Sequence, residues 1–386
     1  MRGFRRIDGV FDHAERRRRL SDVMREEGVD VLFLGLSSDL EYLSGVERGI
    51  PFFGQSSYPH GWVAGAFFRP DEEPLFVLPR MVVVFDLPVR PEGEIVVVDE
   101  TDDGRSIFER VAKGLGRATS VAVGDRVWAE TAIELGRVFG PERLRTGSAL
   151  VNRLRRVKSE AELDAMARAC RTVEAAMAAV TPRVRPGVTM AELREEVEAQ
   201  MRAAGSLTPS FATHIFTGMD AESLDTGSAT ARTPLEDGTA VLFDFGGVVD
   251  GYCSDFGRTI ACGEPSAEVE RAYAAMLAAF EAGRAACRPG ALAREVNAAC
   301  RAPIEEAGLG EHFRHRMGHG IGLDVHERPF LSPEDETPLE AGMTFTDEPS
   351  IVVPGAFGMR IENIVVCADG GARVLNDLSN ELVTNP

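Results

Sequence analysis

The sequence is poor in lysine and lacks the patterns of several common enzyme and membrane-protein classes. Only two of its 386 residues are lysines, and neither lies in a recognisable pocket motif, which disfavours Schiff-base chemistry. No glycine-rich phosphate loop follows a predicted strand, so nucleotide binding has no support. The HExxH motif of zinc peptidases is absent. No apolar run approaches the roughly 18 residues that a membrane span requires.

Acidic residues outnumber basic ones by 61 to 42, and the cysteines show no paired spacing. The formal net charge of −19 argues against nucleic acid or an anionic membrane as a partner. The one basic run, Arg16 to Arg19, has helical spacing that favours a solvated helix face over a docking patch. The six cysteines have no paired spacing, and the N-terminus has no apolar core or cleavage site of a signal peptide. We therefore expect a reduced, cytoplasmic setting.

The first ~150 residues alternate between helical and strand-like patterns. Helices are predicted near residues 12–27, 105–115 and 129–138, and strands near residues 29–34, 63–68, 75–78, 95–98 and 121–123. This alternation predicts an α/β domain over residues 1–150. The basic segment Leu150–Lys158 then reads as a connector into a second domain, residues 151–386.

The second domain contains an internal repeat. Capping boxes at Ser159–Glu162 and Thr189–Glu192 predict the starts of two helices. The tripeptide Arg-Pro-Gly, followed by a helix ending in glycine, occurs at Arg185–Gly187 and again at Arg288–Gly290, 103 residues later. We interpret this as an α+β domain built from two similar halves related by a pseudo-two-fold axis.

The stretch VLFDFGGVVDGYCSDFGRT brings two carboxylates together. Asp250-Gly251 is a strong signal for a two-residue hairpin turn, and that turn would place Val249 opposite Tyr252. Asp244 and Asp255 then become diagonal neighbours on one sheet face. A divalent cation pair would relieve the cost of two adjacent acids on a half-apolar hairpin. A solvated hairpin with both acids facing water is the alternative, and this stretch alone leaves both open.

The second half of the repeat holds matching acids and a glycine-rich histidine. Glu348 and Glu362 lie 104 and 107 residues beyond the hairpin acids. His319 stands among Gly318, Gly320 and Gly322, which permit close backbone approach to a ligand. A mobile loop that carries a surface histidine is the alternative, because it would have the same sequence pattern. His312, His315 and His319 have helical spacing, but the glycines around His319 argue against a metal-binding helix face.

These motifs together resemble one known family. Asp244 and Asp255, then GHGIGLDVHERP, then TDEPSIVVPGAFGMRIEN, are similar to the pita-bread metallopeptidases, which include prolidase, aminopeptidase P, methionine aminopeptidase and creatinase. The resemblance extends from Lys158 to the C-terminus, and more loosely over the first ~150 residues, where Ser38–Gly45 is similar to a stretch of the prolidase-type N-terminal domain. It implies a creatinase/prolidase-type α/β domain followed by a pita-bread catalytic domain.

The resemblance also implies a metal centre and a reaction. Two divalent ions would be held by Asp244, Asp255, His319, Glu348 and Glu362. This oxygen-rich set favours Mn²⁺, with Co²⁺, Fe²⁺ or Zn²⁺ as alternatives. A water activated between the ions would attack an amide, with Glu348 as the catalytic proton carrier and His326 as a donor to the carbonyl oxygen. Arg360 would bind a substrate carboxylate or orient Glu362. The implied activity is that of an Xaa-Pro dipeptidase or aminopeptidase.

One position departs from the family pattern. Prolidase-like members carry a substrate-contacting histidine seven residues after the glycine equivalent to Gly218, and this chain has Asp225 there. His214 precedes Gly218 and is not an obvious replacement. Asp225 is therefore a candidate substrate-binding residue. Its identity keeps open small non-peptide substrates, as in creatinase-like amidinohydrolases or sulfoniopropionate lyases. The five intact ligand positions argue against a third alternative, a non-catalytic binding module.

The resemblance carries one expectation about assembly. Prolidase-like relatives form homodimers in which the N-terminal domain of one subunit approaches the other subunit's active site. The segment Gly49–Trp62 is rich in proline and aromatic residues, and its composition suits a lid of this kind. We therefore expect a homodimer that acts on small peptides or other small molecules.

Overall fold

The computed structural model describes residues 10–48, 59–218 and 232–385. Two units follow one another along the chain, Met1–Arg155 and Arg156–Pro386. Residues 49–58 of the segment predicted as a lid, and the whole stretch around Asp225, lie outside the described residues.

The first unit is built on a six-stranded mixed sheet. Its strands are β1 Val31–Gly35, β2 Gly65–Phe68, β3 Leu75–Pro79, β4 Glu94–Val98, β5 Val121–Val123 and β6 Leu144–Thr146. Its helices are α1 His13–Glu26, α2 Ser38–Ser44, α3 Gly104–Gly114, α4 Ala129–Phe139 and α5 Ser148–Arg155. The strand order is β4-β3-β2-β1-β5-β6. Phe33 of the fully buried strand β1 packs edge-on against Phe67 and Phe108, with ring centroids 4.8 and 5.7 Å away.

The basic run Arg16–Arg19 is a solvated face in only half of its residues. Arg18 and Arg19 are exposed, but Arg16 and Arg17 are buried and donate to the carbonyl oxygens of Tyr42 and Leu43. Leu150–Lys158, predicted as a connector, contains the boundary between the two units and is largely helical, since α5 runs through it. The apolar side chains of Leu150, Val151 and Leu154 are buried along one face of α5, which accounts for the helix.

The second unit combines four long helices with several small sheets. The helices are α6 Glu160–Val180, α7 Met190–Ala203, α8 Ala267–Ala286 and α9 Ala293–Glu306. The strands are β7 His214–Phe216, β8 Thr239–Phe245, β9 Val248–Val249, β10 Tyr252–Cys253, β11 Phe256–Cys262, β12 Gly318–Gly320, β13 Glu327–Leu331, β14 Thr344–Asp347, β15 Ser350–Val353, β16 Phe357–Arg360, β17 Asn363–Val366, β18 Arg373–Val374 and β19 Val383–Asn385. The main sheets have the orders β19-β11-β8-β7 and β13-β12-β14-β17-β18.

The two halves of this unit repeat the same backbone contacts. Gly187, with a φ of 89°, donates its N–H to Leu235, and Gly290, with a φ of 84°, donates its N–H to Leu339. Each glycine precedes a helix of the same length, α7 or α9, with 14 residues. The repeat predicted from the sequence is therefore confirmed, and both predicted capping boxes are present.

The predicted hairpin is also confirmed. Tyr252 pairs with Val249, and the same register continues outward to pair Gly257 with Asp244. Asp250 and Gly251 have φ values of 50° and 83°, the two consecutive left-handed residues of a type I′ turn. The two acids are therefore fixed to one hairpin by its turn.

All six cysteines lie within the described residues, where they are buried and form no disulfide. Among the described residues, no helix has both the length and the apolar character that crossing a bilayer requires.

Candidate metal centre

The five residues of the expected ligand set come from different elements of the second unit and converge. Asp244 lies near the end of β8, Asp255 directly before β11, His319 on β12, Glu348 directly after β14, and Glu362 directly before β17. Asp255, His319 and Glu362 each offer a ligand atom, and these atoms lie within 4.8 Å of one another. Both halves of the repeat therefore contribute to one buried cluster.

His319 occupies the middle of the cluster. Its Nε2 lies 3.5 Å from Asp255 Oδ2 and 3.4 Å from Glu348 Oε1. The other ring nitrogen, Nδ1, is 3.1 Å from the carbonyl oxygen of Gly320. An N–H on Nδ1 that donates to this carbonyl leaves the Nε2 lone pair directed at the acids, as a metal ligand requires.

Arg360 holds the acids from one side. Its Nη1 lies 2.5 Å from Asp244 Oδ2 and 3.4 Å from Glu362 Oε2. Its Nη2 is 3.5 Å from Glu348 Oε2, and its Nε donates to Ser350 Oγ at 2.7 Å. The guanidinium therefore partly neutralises three of the four carboxylates.

The remaining carboxylate oxygens fit a divalent cation. Asp244 Oδ1, Asp255 Oδ1 and Glu362 Oε1 are buried, and no hydrogen-bond donor reaches them from the part of the chain that the structure describes. Burial raises the pKa of Asp244 to about 7 and that of Glu362 well above its usual value. Such oxygens are costly unless a positive charge lies between them. With the His319 nitrogen they form the oxygen-rich donor set that hard divalent ions prefer.

His326 lies beside the cluster. Its ring centroid is 4.1 Å from that of His319, at an interplanar angle of 55°. Partial burial, and then the neighbouring His319, lower the pKa of His326, which favours its neutral imidazole. A neutral imidazole has one N–H to donate toward an oxygen at the centre.

Two histidines reach the site without having been assigned to it from the sequence. His315 Nδ1 lies 4.0 Å from Glu348 Oε2, although residues 313–317 are not helical. His214 on β7 pairs directly with Asp244 on β8. Burial, and then the charges of Arg194 and Arg360, lower the pKa of His214. The spacing of His315 four residues before His319 was visible in the sequence, whereas only the strand pairing reveals His214.

Comparison with known proteins gives consistent matches. The sequence model of metallopeptidase family M24 matches residues 164–369, more than half of the chain. The probable dipeptidase PepE of Mycobacterium tuberculosis is 34% identical over 316 residues, covering 81% of this chain and 83% of that protein.

Solved structures agree over nearly the full length. A dipeptidase from Pyrococcus horikoshii has a TM-score of 0.85 at 27% identity, covering 96% of this chain and 99% of that one. An Xaa-Pro dipeptidase from Bacillus anthracis has a TM-score of 0.83 at 29% identity, covering 97% and 100%. The predicted fold class and the predicted resemblance are both confirmed: the chain belongs to metallopeptidase family M24.

Proposed function

We propose that the chain is an Xaa-Pro peptidase, a dipeptidase or aminopeptidase that cleaves its amide bond at a centre of two divalent metal ions. The proposed ligands are Asp244, Asp255, His319, Glu348 and Glu362. The observation that carries the proposal is that Asp255, His319 and Glu362 each place a ligand atom within 4.8 Å of the others. Asp255 and Glu362 each also keep a buried carboxylate oxygen that finds no partner among the described residues. The Xaa-Pro dipeptidase of Bacillus anthracis, which shares the fold over the whole chain, supports the substrate class.

The metal ions, with Mn²⁺ favoured by the oxygen-rich set, would supply Lewis acidity and an activated water. Glu348 takes the proton of the attacking water and passes it to the leaving nitrogen as the C–N bond breaks. His326 donates an N–H to the carbonyl oxygen as negative charge develops there. Arg360 holds Asp244 and Glu362 in place, so its first role is to orient ligands.

The proposal is tested by metal analysis and turnover on the same preparations. Wild type should contain about two divalent ions per chain and hydrolyse Xaa-Pro peptides, and a chelator should abolish turnover. Asp255→Ala and Glu362→Ala should lose both metal and activity. Glu311→Ala, at an acid whose side chain is 84% exposed, is the matched control and should keep both. Full metal content in both ligand variants would rule out this site.

Two experiments test the substrate preference: one varies the length of the peptide, and the other replaces Asp225. Comparing Ala-Pro with Ala-Pro-Ala distinguishes a dipeptidase from an aminopeptidase. We propose that Asp225 contacts the substrate, where an acid suits a cationic group better than a carboxylate. Asp225→His should therefore shift the ratio of rates toward Xaa-Pro dipeptides. An unchanged ratio would remove Asp225 from the substrate site.

We further propose a homodimer in a cytoplasmic setting. Val84, Phe85 and Val89 of the first unit are 58%, 66% and 61% exposed, and exposed apolar groups of this kind favour a partner surface. Light scattering that shows a monomer at working concentration would contradict the dimer. The six buried cysteines without a disulfide support a reducing compartment.

We also propose that the chain has two domains, of which only the second is catalytic. Residues 1–150 would be the creatinase/prolidase-like domain, and residues 151–386 the catalytic domain. All five proposed ligands lie in the second unit, which supports this assignment.

A further inference from the structure

His214 lies beside the metal centre, on the last strand of one sheet. Among the described residues, its strand β7 comes last in the order β19-β11-β8-β7. His214 pairs in antiparallel register with Asp244. Directly paired residues have Cβ atoms about 4.5–5.5 Å apart and point to the same face of the sheet.

That face of the sheet is turned toward the proposed ligands. Gly257, which pairs with Asp244 on the side opposite to His214, shows where residues on this face point. A Cβ built on Gly257 would lie 2.7 Å from a side-chain carbon of Arg360 and 2.9 Å from the Cβ of Glu362. His214, Asp244 and Gly257 form one row across the sheet, so the His214 imidazole projects on the ligand side and is half-buried.

Positive charge lies close to His214. Arg360 already pairs with three acids. Burial, and then the charge of Arg194 on α7, lower the pKa of His214. The Nε of Arg194 is buried and donates to no acceptor among the described residues. The ring of Phe211 lies nearly parallel to the imidazole, with centroids 6.3 Å apart and an interplanar angle of 23°.

We propose that His214, supported by the charge of Arg194, recognises the carboxylate of the peptide substrate. The inference rests on the proposed peptidase function and assigns a recognition residue to it. A carboxylate that binds beside Asp244 needs a donor that offsets the charge of that acid, and the His214 N–H supplies one there. In an Xaa-Pro dipeptide a single Cα separates the carboxylate from the scissile nitrogen. The carboxylate must therefore bind beside the ligands, where His214 lies.

The test compares a carboxylate with an amide at the same position of the ligand. His214→Phe keeps a ring that can stack on Phe211 but removes the N–H. It should raise KM for Ala-Pro roughly 10- to 100-fold, the usual effect of losing a hydrogen bond to a charged group, with kcat changed less than threefold. The inhibition constant of Ala-prolinamide, measured as a competitor of Ala-Pro, should change less than twofold. His214→Gln, which restores an N–H donor, should recover part of the loss.

Metal content and melting temperature, measured on each variant, separate recognition from structural damage. Both should match wild type. An equal loss for Ala-Pro and Ala-prolinamide, or a fall in kcat alone, would overturn the role of His214 while leaving the peptidase assignment intact. A metal-loaded wild type that turns over no Xaa-Pro substrate would overturn the proposed function, and this inference with it.

Discussion

Lys158 forms a buried ion pair with Glu327, the residue that follows His326 in the sequence. The Lys158 Nζ lies 3.1 Å from Glu327 Oε2, and the two side chains are only 2% and 3% exposed. The other carboxylate oxygen, Glu327 Oε1, accepts the N–H of Asp324 at 3.1 Å. The pair therefore fixes both ends of the short loop that presents His326 to the proposed centre.

Breaking this pair should be costly. Lys158→Met removes the buried Lys158 ammonium from the Glu327 carboxylate, and we expect the free energy of unfolding to fall by about 3–5 kcal/mol. The double variant Lys158→Met/Glu327→Leu removes both charges and should recover much of that loss. Urea unfolding of the two variants and wild type measures the difference. A loss below about 1 kcal/mol in the single variant would mean that the pair is of little consequence.

His326 should act on the transition state. His326→Ala removes the N–H donor beside His319, so kcat and kcat/KM on an Xaa-Pro substrate should fall together, by roughly 10²–10³-fold. Metal content should stay at the wild-type level because His326 is not among the proposed ligands. A rise in KM with kcat unchanged would instead assign His326 to substrate binding.

Glu362 is expected to favour metal binding at the expense of metal-free stability. Its carboxylate is fully buried, with burial and then the charge of Asp255 raising its pKa. Glu362→Gln should therefore abolish the rise in melting temperature that Mn²⁺ gives to wild type. The metal-free variant should melt at or above metal-free wild type, since it lacks the cost of burying an acid that is ionised in the unfolded chain. A persistent Mn²⁺-dependent rise, or a strongly destabilised metal-free variant, would contradict this expectation.

The hairpin turn should tolerate only glycine at its second central position. Gly251 has a φ of 83°, so Gly251→Ala should cost about 1–2 kcal/mol of unfolding free energy. Gly114→Ala is the control, because Gly114 ends helix α3 with open space around a built Cβ and should be neutral or gain up to about 1 kcal/mol. Equal effects at both positions, measured by thermal unfolding, would argue against a strained turn.

Much of the second unit could be predicted because its signals are local. The Asp250-Gly251 turn sets the hairpin register within a few residues, and the capping boxes at Ser159 and Thr189 mark helix starts directly. The repeat is visible because the Arg-Pro-Gly turns recur at a fixed interval. The hairpin and the repeat brought the four acids together in the prediction, whereas His319 joined them only through the resemblance to the pita-bread metallopeptidases.

Features that depend on distant partners could not be predicted. Arg16 and Arg17 belong to a run that predicts a solvated face, yet both are buried. The carbonyl oxygens of Tyr42 and Leu43 accept their hydrogen bonds. His214 precedes the landmark Gly218, and only the pairing of β7 with β8 brings it opposite Asp244. Lys158, one of two lysines, carried no motif, because its partner Glu327 lies far along the chain.

The divided ligand set gives the metal ions a mechanical consequence. One half of the repeat contributes Asp244 and Asp255, while the other contributes His319, Glu348 and Glu362. Between them, Gly257 and Glu362 exchange two backbone hydrogen bonds of 3.3 and 2.9 Å. Ions bound across this seam would cross-link the halves as a disulfide cross-links two segments. A chain nicked between Cys262 and Ala267 would then hold together with metal and come apart more readily without it.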